Sequence, residues 1–217
     1  VMEYLGVKFS NNESFLKRCI DEAGICILHA PLFHPAMKNV APIRKELAVK
    51  TFFNMLGPMV NPSFPKNQIV GVFSLELARI YGYLYQNSNK NFTIIHSLDG
   101  YDEISLTGST KIISNSKEKL IEPKNFGLSI LTKEQIKGGV SIESSAKIFL
   151  NVLAGKGTNA QNQVVCANSA IAISTKTNIS LNESYEKALE SLLSGKAMKS
   201  LKTLQKLANY HRNKSKS

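Results

Sequence analysis

Residues 68–73 read Gln68-Ile69-Val70-Gly71-Val72-Phe73, and residues 92–96 read Phe92-Thr93-Ile94-Ile95-His96. Both runs are short, apolar and rich in β-branched side chains, as buried strands are. Between them, Ser74 precedes a run carrying Leu75, Ala78, Leu84 and Tyr85. That order predicts a helix with Ser74 as its N-cap, whose hydroxyl accepts an otherwise orphaned backbone amide. Asn87-Ser88-Asn89-Lys90-Asn91 breaks the helix before the second strand. Strands alternating with helices imply an α/β layered sheet.

Further elements fall on either side. Ser10-Asn11-Asn12-Glu13 has the form of a capping box ahead of Phe15, Leu16, Cys19 and Ile20, and Gly24 ends that helix. Ile25-Cys26-Ile27-Leu28-His29 then reads as another core strand. Two short strands are expected near Thr110–Ser114 and Lys119–Glu122. The second half reads as helices over Ser141–Ala154, Asn159–Ser174, Leu181–Leu193 and Lys196–Ala208. Thr132-Lys133-Glu134-Gln135 and Ser180-Leu181-Asn182-Glu183 are further capping boxes. No internal repeat and no separating linker stands out. The expectation is one α/β domain over residues 1–217, a mixed sheet flanked by helices, with a disordered tail from about residue 209.

The chain has 217 residues, 43% of them hydrophobic, enough to bury a sizeable core. It holds no apolar run long enough for a membrane span, and its first residues lack the features of a signal peptide. A start on Val1, inside a helix-like run, leads us to expect sequence upstream. Cys19, Cys26 and Cys166 show no paired spacing, so reduced thiols in a cytoplasmic protein are expected. Four scattered histidines argue against a zinc cluster. The net charge is +11, and seven of the 27 basic residues lie from Lys196 onward, where no acid follows Glu190. That tail reads either as a solvated terminal helix or as a nucleic-acid contact, and the first fits better.

Three segments carry candidate chemistry. Residues 34–62 hold a His-Pro turn at His34, Pro42 in the first turn of a helix, Arg44 two residues on, and Gly57-Pro58 followed by Asn61-Pro62. The plain reading is a surface helix between Pro-rich loops. The functional reading sets the Arg44 guanidinium against a carboxylate, in a two-pronged contact. Asp99-Gly100-Tyr101-Asp102-Glu103 places three carboxylates just after the Phe92–His96 strand, at the end of a strand where α/β sheets hold ligands. It is either an acidic turn or a Mg²⁺ site, with Asp102 and Glu103 as the hard oxygen ligands. Gly155-Lys156-Gly157-Thr158 reads as a plain connection between helices, since no strand precedes it as in a phosphate loop.

The His34–Pro62 segment resembles, nearly residue for residue, the signature of the anthranilate phosphoribosyltransferases. In that family His-Pro-Ala-Met leads to a Pro-x-Arg-x-x-Leu helix and then to a Thr-x-Phe-Asn-x-Leu-Gly-Pro-x-x-Asn-Pro hinge, here at about residues 40–62. Ala48 stands where Gly is usual, Lys50 where Arg is usual, and Met59-Val60 where Leu-Thr is common. The Asp-Gly-x-Asp-Glu run is also similar to the family's. The resemblance implies the α/β domain of the anthranilate phosphoribosyltransferase and nucleoside phosphorylase type. It implies an Mg²⁺-dependent transfer of 5-phosphoribosyl from phosphoribosyl pyrophosphate to anthranilate, releasing pyrophosphate, in tryptophan biosynthesis. By the same resemblance Arg44 contacts the anthranilate carboxylate, His34 and Pro58 line its channel, and Asp102 and Glu103 hold Mg²⁺.

The family's Gly-Thr-Gly-Gly-Asp loop, Lys-His-Gly-Asn-Arg segment and dimerising N-terminal helices have no counterpart in these 217 residues. The resemblance therefore implies a homodimer for the full-length family, and no activity for this chain alone. The alternative is a same-fold homologue that binds nucleic acid or phosphorolyses a pyrimidine nucleoside. The retained His34 and Arg44 argue against it.

Arg44 gives the sharpest expectation. A helix start favours anions, so a cation there needs a partner of its own. In a protein of the family's full length, Arg44→Ala should weaken anthranilate use by roughly ten- to a hundredfold in kcat/KM, the worth of a charged hydrogen-bonded contact. Dependence on phosphoribosyl pyrophosphate should barely change, and Arg44→Lys should recover only part of the loss. Steady-state kinetics with the defect in the phosphoribosyl pyrophosphate term would overturn the assignment.

Overall fold

A computed structural model describes residues 1–34, 57–115 and 117–214. In chain order its helices are α1 (Glu13–Arg18), α2 (Ala30–Phe33), α3 (Leu75–Gln86), α4 (Ile142–Leu153), α5 (Asn159–Thr177), α6 (Leu181–Leu193) and α7 (Lys196–Lys214). Its strands are β1 (Asn67–Gly71), β2 (Asn91–Ser97), β3 (Thr110–Ser114) and β4 (Glu118–Ile121). The chain divides into two compact units, one of residues 1–64, 141–146 and 197–217, the other of 65–140 and 147–196. No described helix is long and apolar enough to cross a membrane.

The described elements of the first unit are helical. Asn12, rather than Ser10, caps α1: its side chain accepts the Phe15 amide at 2.9 Å, and Ser10 Oγ in turn accepts the Asn12 amide at 3.1 Å. A π-helical turn, Cys19–Ala23, continues α1 and stops at Gly24, whose φ of 73° is the left-handed conformation that glycine adopts without steric cost. Leu201, Leu204, Leu207 and Ala208 form the buried stripe of α7, at the three- and four-residue spacing of an amphipathic helix. Gln205 Nε2 donates to the Leu5 carbonyl at 2.7 Å, and the Arg18 guanidinium stacks 5.2 Å from the Tyr210 ring. Helix α7 runs on to Lys214, past the Ala208 end and into the tail expected to be disordered.

The expected core strand Ile25–His29 does not form. The segment has no regular secondary structure, pairs with no described strand, and leaves Ile25 45% exposed. β-Propensity measures how a side chain fits a pleated surface among strand neighbours, and here no described neighbour supplies that surface. Instead Pro31 in the first turn of α2 ends the run, and the His29 ring stacks on Phe9 at 4.7 Å.

The second unit is the α/β layer. Its sheet has the order β1-β2-β3-β4. β1 and β2 are parallel, with Asn67 opposite Asn91 and Gly71 opposite Ile95. β2 and β3 are antiparallel, with Thr93 opposite Ser114, and so are β3 and β4, with Thr110 opposite Ile121. The sheet is mixed and flanked by helices, as expected. Ser74 accepts the Leu77 amide at 3.2 Å and caps α3, the crossover between β1 and β2.

From Phe92 to Ser97 every side chain of β2 is buried. Alternation sends Phe92 toward α3, where its ring meets Tyr85 at 5.5 Å between centroids. It sends Thr93 toward α5, where its hydroxyl lies 2.7 Å from that of Thr175. Gly82 lets α3 approach closely, since a Cβ there would stand 3.2 Å from the Ile113 side chain. The α5 side is the main core: Ile95, Ile104, Leu106 and Ile112 pack with Cys166, Ala167 and Ala170 of α5 and with Tyr185 and Leu192 of α6. Burial pushes the Tyr185 phenol up to about 12, with the nearby Cys166 adding to the effect.

Gly155–Thr158 is the plain connection that the sequence suggested. Thr158 caps α5 and forms the full reciprocal box with Gln161. At Ser180 the hydroxyl accepts the Glu183 amide and starts α6. Thr132–Gln135 closes only a turn, with Gln135 Oε1 accepting the Thr132 amide at 2.8 Å.

Candidate functional site

The polar end of β2 builds the site. After Ser97 the chain turns at once: the Ser97 amide donates to the Tyr101 carbonyl and the Gly100 amide to the Ser97 carbonyl, both at 2.9 Å. Gly100 sits at φ +103°, where a side chain would be strained. Ser97 Oγ donates to the Glu103 carbonyl at 2.6 Å and lies 2.8 Å from Thr110 Oγ1, a tie buried inside the sheet. His96 Nδ1 lies 2.8 Å from the Val72 carbonyl, fixing the exit of β1 beside the exit of β2.

Two features missed at the sequence level hold this loop. The first is Asn168 on α5. Its Oδ1 accepts the Ile104 amide at 2.9 Å, while its Nδ2 donates to the Ile104 carbonyl at 2.8 Å and to the Val164 carbonyl at 3.0 Å. One side-chain amide thus satisfies both backbone groups of the residue after Glu103, which would otherwise be buried without partners. The second is Gly71, the last residue of β1. A Cβ there would stand 1.8 Å from the Asp102 carbonyl oxygen, so only glycine lets the two backbones pass. The signals were present: an Asn within the apolar run Val164–Ala170, and a Gly where β1 ends opposite an acidic loop.

The three carboxylates of the loop divide by environment. Asp99 is half-buried and turned inward. It accepts hydrogen bonds from Thr107 Oγ1 and, at 3.4 Å, from Ser105 Oγ, so it braces the loop. Asp102 and Glu103 are exposed, and among the described residues none donates to either carboxylate. Protein crowding around the Glu103 carboxyl raises it above the usual carboxylate value even though part of the side chain reaches solvent, and the Asp102 charge raises it further.

Adjacent hard-oxygen donors with uncompensated like charge suit a divalent cation that completes its shell with water and phosphate oxygens. They do not make a metal cage: among the described residues no cluster of three or more His, Cys, Asp or Glu surrounds a common point. The pair therefore fits Mg²⁺ carried on a phosphate substrate better than a permanently chelated ion.

The other expected site residues lie in the first unit. His34 follows α2, half-buried, with its backbone amide donating to the Ala30 carbonyl at 3.0 Å. Pro58 is half-buried in a short 3₁₀ turn, Gly57–Met59. Arg44, like Pro42 and most of the hinge segment, lies outside the described residues.

A mixed sheet with a polar, carboxylate-bearing loop at the carboxyl end of its parallel strands has the layout of the ligand-binding α/β proteins. The chain belongs to the glycosyl transferase family, whose a/b domain matches residues 1–198. It is 68% identical over 208 residues to the anthranilate phosphoribosyltransferase of Flavobacterium johnsoniae, covering 96% of this chain and 63% of the relative. It is 46% identical over 210 residues to that of Bacteroides thetaiotaomicron, with coverage again 96% and 63%. Among solved structures it resembles the Saccharomyces cerevisiae enzyme in complex with PRPP and Mg, at 29% identity and a TM-score of 0.88, over 96% of this chain and 60% of that one. The Thermus thermophilus enzyme matches at 30% identity and a TM-score of 0.87, over 96% and 63%. The chain spans a little under two thirds of the length of these relatives.

Two outcomes follow from the loop's geometry. Gly71→Ala should push the Asp102 backbone aside, lowering stability by about 1–3 kcal/mol, as overpacking does. Thermal unfolding and amide exchange of residues 99–104 would register it, and an unchanged midpoint with unchanged exchange would contradict the close approach. For Glu103, the raised carboxyl means that the native state holds more protons than the unfolded one between the ordinary and the raised value. Stability should fall as pH rises through that window. Glu103→Gln should remove this dependence and leave the melting temperature at pH 7 equal or higher. A lower one would mean that the charge is stabilised by its surroundings.

Proposed function

We propose that this chain forms part of an anthranilate phosphoribosyltransferase. The observation that carries the reading is the Asp102–Glu103 pair, presented by a braced loop at the end of β2 in a chain 68% identical to a curated enzyme of that name. The relative solved with PRPP and Mg supports a phosphate substrate with its metal. The relative solved with 4-fluoroanthranilate, at 29% identity and a TM-score of 0.87, supports an aromatic acceptor. Homodimeric assembly and a cytoplasmic setting go with this reading through the family resemblance.

In the proposed reaction the anthranilate amine, neutral at pH 7, attacks C1 of the ribose. The bond from C1 to the pyrophosphate oxygen breaks, and its electron pair leaves with pyrophosphate. The amine proton passes to solvent. When bound, Mg²⁺ would neutralise charge that accumulates on the leaving pyrophosphate. Asp102 and Glu103 would hold the cation-bearing phosphate end through their negative charge, and Ser97, Gly71 and Asn168 keep the loop that carries both carboxylates in register. By the family resemblance, Arg44 would orient the acceptor through its carboxylate, with His34 and Pro58 at the anthranilate channel. No covalent enzyme intermediate is required.

The test is the double variant Asp102→Asn with Glu103→Gln, in a protein of the relatives' full length. Mg²⁺-dependent turnover of anthranilate should be abolished, while circular dichroism and the melting temperature stay within those of the parent. Retained turnover in the folded variant would refute the role of the pair.

A further inference from the structure

A second concave region lies at the opposite end of the same sheet. It is a cavity of about 580 Å³, in the size range of small-molecule sites. The start of β2 (Asn91, Phe92, Thr93), the end of β3 (Ile112, Ser114, Asn115), the last turn of α5 and the start of α6 line it. The Asp102–Glu103 loop is at the other end of β2, so the two regions share no residue.

The charge of the lining is one-sided. Lys117, Lys119 and Lys176 face the cavity, and among the described residues no carboxylate lines it. Strand alternation explains two of these. Lys117 and Lys119 share the face of Ile121, which is buried in the core beneath α5 and α6. Glu118 points to the other face, where it pairs with Lys111 at 2.6 Å. Glu183, the nearest acid on α6, is directed to Lys187, at 3.7 Å. Elsewhere in this unit Lys124 and Lys196 have carboxylate partners, but none of the three cavity lysines is in an ion pair with a described residue.

The rim is rigid. Asn115 Oδ1 accepts the Phe92 amide at 2.8 Å, its Nδ2 donates to the Lys90 carbonyl at 2.6 Å, and Ser114 Oγ donates to the Lys117 carbonyl at 3.0 Å. At the start of α6 the Ser180 hydroxyl takes only the Glu183 amide, and the positive end of the helix faces the same space. The floor is apolar, formed by Ile112 of β3 and Ile171 of α5.

We propose that this cavity is a second ligand site, which binds a phosphate-bearing small molecule through Lys117, Lys119 and Lys176, with its organic part over the apolar floor. An anion would offset the cost of placing these ammoniums side by side. Partial crowding around the ammonium of Lys119, a residue otherwise exposed, and then the Lys117 charge hold it below the usual lysine value, and a bound phosphate would relieve the second cause. The site is independent of the transferase reading, because it uses neither carboxylate of the loop.

The test is a titration of the ¹⁵N-labelled chain with AMP, and separately with inorganic phosphate, in EDTA so that no divalent metal recruits the Asp102–Glu103 loop. Amide shifts should move at Asn115, Lys117, Lys119, Asn178 and Leu181 and stay fixed at residues 99–103. The triple variant Lys117→Gln, Lys119→Gln, Lys176→Gln removes no described ion pair and should fold normally. It should lose about tenfold or more in affinity, since each exposed charge contributes a severalfold factor. AMP binding more tightly than phosphate supports the site with an organic phosphate as its source; equal binding, lost alike in the triple variant, supports it with the free anion as source. Shifts confined to residues 99–103, no shifts at all, or full affinity in the folded triple variant would each overturn it.

Discussion

Strand β2 has no exposed face from Phe92 to Ser97, and the second unit is arranged around that constraint. A strand buried on both sides must be flanked by layers, so α3 covers Phe92 and α5 covers Thr93 and Ile95. Neighbours on both edges satisfy its backbone, a parallel one at β1 and an antiparallel one at β3. Charged carboxylates and ammoniums are then excluded from the strand itself and pushed to its ends, while its polar side chains Thr93, His96 and Ser97 are each hydrogen-bonded. The carboxyl end gathers acids and the amino end gathers lysines, and the same buried strand separates them.

At the carboxyl end, the energetic problem is to place two carboxylates side by side without letting the loop relax away from them. The solution is neutral and short-ranged. Asn168 takes both backbone groups of Ile104, Ser97 takes the Glu103 carbonyl, and Gly71 removes the one Cβ that would block the passage. None of these groups carries charge, so the field at Asp102 and Glu103 stays negative and open to a cation. Asp99, of the same residue type and only three positions away, is taken out of that field by the hydroxyls of Thr107 and Ser105. Environment, rather than residue type, separates the bracing acid from the two that face outward.

Much of this layout was legible in the sequence, and the exceptions have physical reasons. The run at Gln68–Phe73 became a strand as far as Gly71, and Phe92–His96 became one throughout, because each found strand neighbours, and Ser74 and Ser180 capped their helices as short polar residues do before apolar runs. Ile25–His29 has the same apolar, β-branched composition but pairs with no described strand, which composition cannot reveal. The Asp102–Glu103 pair was visible as an acidic cluster after a strand. Its supports were not, because Asn168 lies 64 positions from Ile104 and the Gly71–Asp102 approach exists only in three dimensions. The cavity lysines were hidden for the same reason: Lys117 and Lys119 lie far from Lys176 in the chain, and the overall charge pointed to the C-terminal tail instead.

The central claim is that the loop after β2 receives a divalent cation together with a phosphate. The most direct measurement replaces Mg²⁺ with paramagnetic Mn²⁺ and records which amides of the protein, at the relatives' full length, broaden as Mn²⁺–pyrophosphate is added. The account predicts broadening centred on Asp102 and Glu103 and fading along residues 97–106. Broadening centred elsewhere, with residues 99–104 left sharp, would contradict it.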